Sequence, residues 1–110
     1  MTFTKKNIKM PSSDGAHTLR GMIFVPDGEI KGIVHVVHGM TEHIKRYTPL
    51  FTALAENGFI AAGYDNLGHG ETANDDSELG FIADKKGYRF LVDDVGAFGE
   101  KLRKNHKGIP

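Results

Sequence analysis

The stretch that decides the fold is GIVHVVHG, residues 32–39. Ile33, Val34, Val36 and Val37 put apolar side chains at successive positions around His35. Successive strand residues point to opposite faces, so this run is apolar on both, the pattern of a parallel strand covered by helices on either side. It belongs in the middle of a sheet. The run then ends in His38-Gly39 and opens at once into Met40, Glu42, His43, Arg46 and Tyr47. Open α/β sheets bind ligands beyond the carboxyl ends of their parallel strands, and His38-Gly39-Met40 lies at that edge.

Downstream, Thr48-Pro49 supplies an N-cap and first helical position, with Leu50, Phe51, Leu54 and Ala55 on one stripe and Asn57-Gly58 as the stop. The apolar run Phe59 to Asp65 is the next strand, so residues 32–65 form a β-α-β unit. Upstream, Ile8 and Met10 alternate with polar neighbours, Ser12-Ser13-Asp14-Gly15 reads as a turn, and Leu19 to Val25 reads as a second strand. Together they predict an antiparallel hairpin. Asn66 to Lys86 is polar and irregular, and a loop of that length is more often functional than idle. From about Tyr88 to Asn105, Leu91, Val95, Phe98 and Leu102 recur at helical spacing, with Asp93 and Asp94 early and a basic cluster late to complement the helix dipole. Gly108-Ile109-Pro110 reads as a helix-to-strand connection.

Composition excludes several classes. Fourteen basic and 14 acidic side chains balance, so there is no basic stripe for nucleic acid, and Lys101, Arg103, Lys104 and Lys107 read as a solvated helix end. Without cysteine there is no disulfide framework or thiolate metal site, which suits a reducing compartment. No run approaches the roughly 18 apolar residues of a membrane span, and the N-terminus lacks a signal-peptide core. The expected location is cytoplasmic, with no nucleic-acid partner. No metal is expected either: His35, His38, Glu42 and His43 cluster in sequence, but neither H-E-x-x-H nor H-x-x-E-H occurs. Nucleotide-binding glycine motifs are also absent.

Gly39 lets the backbone turn sharply and approach a ligand, which leaves the Met40 N–H pointing into the space above the sheet. Such a donor would stabilise the developing negative charge of a tetrahedral ester intermediate. A plain strand-to-helix turn needs the same glycine, and these residues alone leave both readings open.

Two blocks carry a resemblance. His38-Gly39-Met40-Thr41-Glu42-His43, followed by Arg46-Tyr47, and Asp65-Asn66-Leu67-Gly68-His69-Gly70-Glu71-Thr72 resemble the first half of the monoacylglycerol lipase and lysophospholipase group of α/β-hydrolases. That group carries H-G-x-x-E-H-x-x-R-Y after strand three and D-x-x-G-H-G-x-S after strand four. Thr72 stands where serine is usual and keeps the hydroxyl. The resemblance implies an α/β-hydrolase fold in which a hairpin leads into a mostly parallel sheet with flanking helices. It also implies that Met40 gives one oxyanion N–H, Gly39 allows the turn, His38 helps to hold it, and the Gly68-His69-Gly70 loop supports it. Glu42 and Arg46 match a polar wall near the substrate head group, although their spacing suits an i,i+4 ion pair equally well.

In this fold the nucleophile sits in G-x-S-x-G after the next strand, with the acid and histidine later still. Ser12, Ser13 and Ser77 are the only serines, and none has those flanking glycines. His35 reads as a core histidine and His106 as a helix-end cation. The expectation is that residues 1–110 form the N-terminal part of a single α/β-hydrolase domain, ending just before the nucleophile-elbow strand. The protein would then be a serine hydrolase of lipid or small carboxylic esters, acting without metal or organic cofactor, and the 110 residues alone would be inactive. The rival expectation is a non-catalytic chain that works through a partner, or through self-association along an open sheet edge.

Overall fold

The computed structural model describes residues 2–38, 43–67, 72 and 87–110. In chain order they form strands β1 (Phe3–Pro11), β2 (Thr18–Pro26) and β3 (Gly32–His35), a 3₁₀ turn (Ile44–Tyr47), helix α1 (Thr48–Glu56), strand β4 (Phe59–Tyr64) and helix α2 (Gly87–Asn105).

The four strands make one mixed sheet in the order β1-β2-β4-β3, with β1/β2 and β2/β4 antiparallel and β3/β4 parallel. The expected hairpin is present but longer than its alternation suggested. β1 begins at Phe3, and Thr4 to Asn7 are exposed, so apolar alternation cannot mark that half of the strand. Asp14 closes the hairpin turn. Its Oδ1 accepts the Ala16 and His17 N–H groups at 2.9 Å, and its Oδ2 lies 2.6 Å from His17 Nδ1. Burial alone would raise this carboxyl, but those bonds outweigh it and hold it below the usual carboxylate value.

Alternation along β2 and β4 builds a core on each face of the sheet. Leu19 and Ile23 of β2 meet Ile60, Ala62 and Tyr64 of β4 on one side, covered by Phe98 and Leu102 of α2. Met22, Phe24 and Ala61 face the other way, under Ile44 and the Phe51 and Ala55 of α1. Phe24 stacks on Phe3 at 5.5 Å and meets the edge of Phe51 at 5.4 Å. The α1 stripe is narrower than expected, because Leu50 is 45% exposed while Phe51 and Ala55 are fully buried. Gly63 has a packing reason: a Cβ there would come within 2.6 Å of the Val36 carbonyl and 2.5 Å of the Ile44 side chain.

Among the described residues β3 forms an edge of the sheet, the open edge expected of the N-terminal part of a larger α/β-hydrolase sheet. Ile33, Val34 and Val36 are accordingly only half-buried, and Val37 is 48% exposed. The chain leaves α2 through Gly108 in the left-handed region (φ 83°). Ile109-Pro110 return to the outer side of β3, where the Ile33 N–H donates to Pro110 O at 2.7 Å. An open cleft of about 380 Å³ remains between this edge and α2, with Ile33, His35, Leu102 and Arg103 among its walls.

Candidate active site

The carboxyl ends of β3 and β4 are joined by a buried polar network. One residue past β4, the Asp65 N–H donates to Arg20 O at 2.8 Å, which keeps the chain against β2. The next residue turns toward β3: the Asn66 N–H donates to His38 Nε2 at 2.9 Å, and Asn66 Nδ2 donates to His38 O at 3.2 Å. Because Nε2 accepts, the ring proton sits on Nδ1. Asp65 Oδ1 accepts the Ile44 N–H at 2.7 Å and stands 4.0 Å from His38 Nε2, beyond hydrogen-bond range. Thr72 closes the network, its hydroxyl donating to Asp65 O at 2.6 Å and accepting the Arg20 N–H at 2.9 Å. His38, Asp65, Asn66 and Thr72 are all buried.

Among the residues singled out from sequence, His38 sits three residues beyond β3, where its side chain is fixed rather than free to reach a ligand. Arg46 lies in the 3₁₀ turn and is exposed. Gly39, Met40 and Glu42 lie outside the described residues, as do Gly68, His69 and Gly70. Sequence reasoning quoted Asp65, Asn66 and Thr72 as parts of a block but gave them no partners. Their positions just beyond an apolar strand were the available signal; the bond to Ile44, 21 residues away, had none.

A second network was misread. Asp94 was placed with Asp93 as an early helix charge, yet the first turn of α2 holds no acidic residue and Asp94 is 1% exposed. It accepts the Ser12 hydroxyl at 2.8 Å and the Ser13 N–H at 2.7 Å, tying the hairpin turn to α2. Ser12 is therefore committed to a carboxylate. The signal was present, because Asp94 lies three residues after Leu91 and four before Phe98, on the buried stripe.

Beside α2, His35 packs on Phe98 at 4.8 Å between ring centroids, and Tyr64 packs on the same ring at 4.9 Å. Burial lowers the His35 pKa from 6.5, and burial, with the Asp94 charge second, pushes the Tyr64 phenol far up. Neither His35 Nε2 nor Tyr64 Oη has a hydrogen-bond partner among the described residues.

Residues 28–110 match the family described as serine aminopeptidase, S33. The chain belongs to that family. It is 28% identical over 85 residues to the monoglyceride lipase of Homo sapiens, a match covering 77% of this chain and 26% of the lipase. Among solved structures, a thermostable carboxyl esterase from Bacillus coagulans in complex with glycerol superposes with a TM-score of 0.86 at 30% identity. That likeness covers 99% of this chain and 35% of the esterase. A soluble variant of monoglyceride lipase from Saccharomyces cerevisiae, bound to a substrate analogue, shares the fold with a TM-score of 0.78 at 24% identity over 99% of this chain and 34% of its own. The chain thus spans about a quarter to a third of the length of these relatives. The α/β-hydrolase fold and the family expected from the two sequence blocks are both found. Among the described residues, no helix is long and apolar enough to cross a membrane.

Proposed function

We propose that the protein carrying these residues is a serine hydrolase of carboxylic esters, with monoacylglycerols or lysophospholipids as its substrate class. In this reading Gly39 and Met40 form the oxyanion turn and Glu42 and Arg46 lie near the substrate head group. One observation carries it. The last residue before that turn, His38, is buried just beyond the carboxyl end of β3 and held by both the backbone and the side chain of Asn66. An oxyanion donor works only if it is fixed before charge develops, and losing one costs about 2.7–4 kcal/mol of barrier.

The implied chemistry is acyl transfer. A serine hydroxyl attacks the ester carbonyl, a histidine takes the serine proton and returns it to the leaving alcohol, and water then releases the acid. The serine, acid and base of this reading lie outside the 110 residues, which alone would turn over no ester. Intact mass of the protein from its natural source, before and after a fluorophosphonate, tests the proposal. A species well above 12.1 kDa that gains one phosphonyl adduct is expected; an unlabelled species sinks it. Aminopeptidases of the family's name share this acyl-enzyme route and differ in expelling an amine. Assays of a monoacylglycerol and an aminoacyl anilide side by side therefore decide the leaving group, and faster anilide cleavage would overturn the ester reading.

The edge position of β3, with the apolar cleft beside it, supports a second reading in which the chain acts through self-association. Light scattering of the 110-residue polypeptide giving a stable, soluble monomer would end that reading.

A further inference from the structure

The polar network does more than hold His38. Residues 39–42 lie outside the described residues; His38 precedes them and Ile44 follows His43, and both His38 and Ile44 are bonded to the same pair of adjacent residues. His38 is held by Asn66, through its ring and its carbonyl. Ile44 is held by Asp65, whose Oδ1 accepts its N–H at 2.7 Å in a buried setting. A carboxylate accepting a backbone N–H out of water makes a bond roughly twice as strong as a neutral pair. It also leaves a buried donor unsatisfied if removed. The pair is fixed in turn from behind, Asp65 N–H to Arg20 O and Thr72 Oγ to Asp65 O, so the dipeptide cannot drift without breaking its bonds to Arg20 and Thr72. Ile44 is further seated by Gly63, whose missing Cβ makes room for the Ile44 side chain.

We propose that Asp65 and Asn66 are positioning residues for hydrolysis, a two-point clamp on segment 39–43 that sets where its backbone donor stands relative to the ester carbonyl. They touch neither substrate nor reacting atoms and act through His38 and Ile44. The inference rests on the reading of Met40 as an oxyanion donor. A donor displaced by about 1 Å loses stabilisation of the transition state while ground-state binding by the rest of the pocket persists, so the effect falls on kcat and not on KM.

The test uses the full-length enzyme and a monoacylglycerol. Asp65→Ala removes the acceptor of the Ile44 N–H, Asp65→Asn keeps one, and Asn66→Ala removes the side-chain donor to His38 O while leaving the backbone bond to Nε2. Expected are a kcat loss of roughly 10- to 100-fold for Asp65→Ala, a smaller loss for Asn66→Ala, KM within about threefold of wild type for both, and recovery of most of kcat in Asp65→Asn. A trifluoromethyl ketone, which mimics the tetrahedral oxyanion, should weaken in parallel with kcat. If Asp65→Ala does not fold, the kcat, KM and ketone affinity of Asn66→Ala decide. Folded variants with wild-type kcat, or with losses confined to KM, overturn the clamp while the hydrolase reading stands. A wild-type enzyme that neither turns over the ester nor takes up a fluorophosphonate overturns the hydrolase reading, and the clamp with it.

Discussion

Asp94 and Asp65 are 1% and 3% exposed, and each accepts a backbone N–H. They also sit toward the same end of the sheet, because β2 runs antiparallel to β4 and the hairpin turn precedes β2 just as Asp65 follows β4. What they join differs. Asp94 bridges residues 81 and 82 apart, docking a turn onto a helix. Asp65 bridges residues 21 apart and, with Asn66, brackets the short stretch that carries the proposed donor. Equal burial and equal chemistry thus need not mean an equal role. A carboxylate that joins two packed elements stabilises the fold, whereas one that anchors Ile44, beside an Asn66 that anchors His38, is proposed to set where the donor between them stands.

The largest effect on stability should come from Asp94→Ala. It removes the acceptor for both Ser12 and Ser13 and leaves polar groups in a buried seam, at a cost of about 2–4 kcal/mol. Urea unfolding measures the loss. The comparison predicts that the fraction still folded keeps wild-type kcat and KM. A tenfold fall in kcat per folded molecule would erase the distinction between the two aspartates.

That distinction was half-legible in the sequence. Ile33 to Val37 announced a parallel strand, Phe59 to Tyr64 its partner, and Leu91, Phe98 and Leu102 the inner face of α2, because hydrophobic periodicity is local. Asp94 falls on that same periodic face and could have been recognised as a buried acid; a charge rule for helix ends took precedence and misassigned it. Periodicity alone did not show the edge position of β3, since a strand apolar on both faces looks alike whether or not its second neighbour is present; the open edge was expected from the resemblance. The clamp was the least accessible feature. His38, Ile44, Asp65 and Asn66 come from different elements, and only the parallel register of β3 and β4 brings their ends together.

A middle-sized effect is expected at Thr72, where the family's second block usually has serine. Its hydroxyl both donates to Asp65 O and accepts the Arg20 N–H, so Thr72→Val should cost about 1–3 kcal/mol. Thr72→Ser keeps the oxygen and loses one methyl, worth about 0.5–1.5 kcal/mol at a buried site. Thermal denaturation of the two variants separates the hydroxyl from the methyl. If serine and valine destabilise equally, the hydroxyl bridge is not what holds Asp65 against β2, and the back support of the clamp fails.

The smallest effect concerns a half-buried histidine that neither aspartate network includes. His35 Nε2 has no hydrogen-bond partner among the described residues, and its ring lies on Phe98, with Tyr64 beside it and Arg103 lining the same cleft. Burial lowers its pKa from 6.5, so below that pH the unfolded chain takes up a proton that the folded chain resists. The unfolded state then binds more protons, and stability falls with falling pH; above about pH 7.5 both states are neutral at this residue and it contributes nothing. His35→Phe keeps an aromatic ring against Phe98 and removes the titration. Urea unfolding between pH 7.5 and 5.5 should therefore show a shallower acid-side loss in the variant than in wild type. Parallel curves would mean that the ring gains a partner on protonation, which would put His35 in the company of Asp65 and Asp94 rather than apart from them.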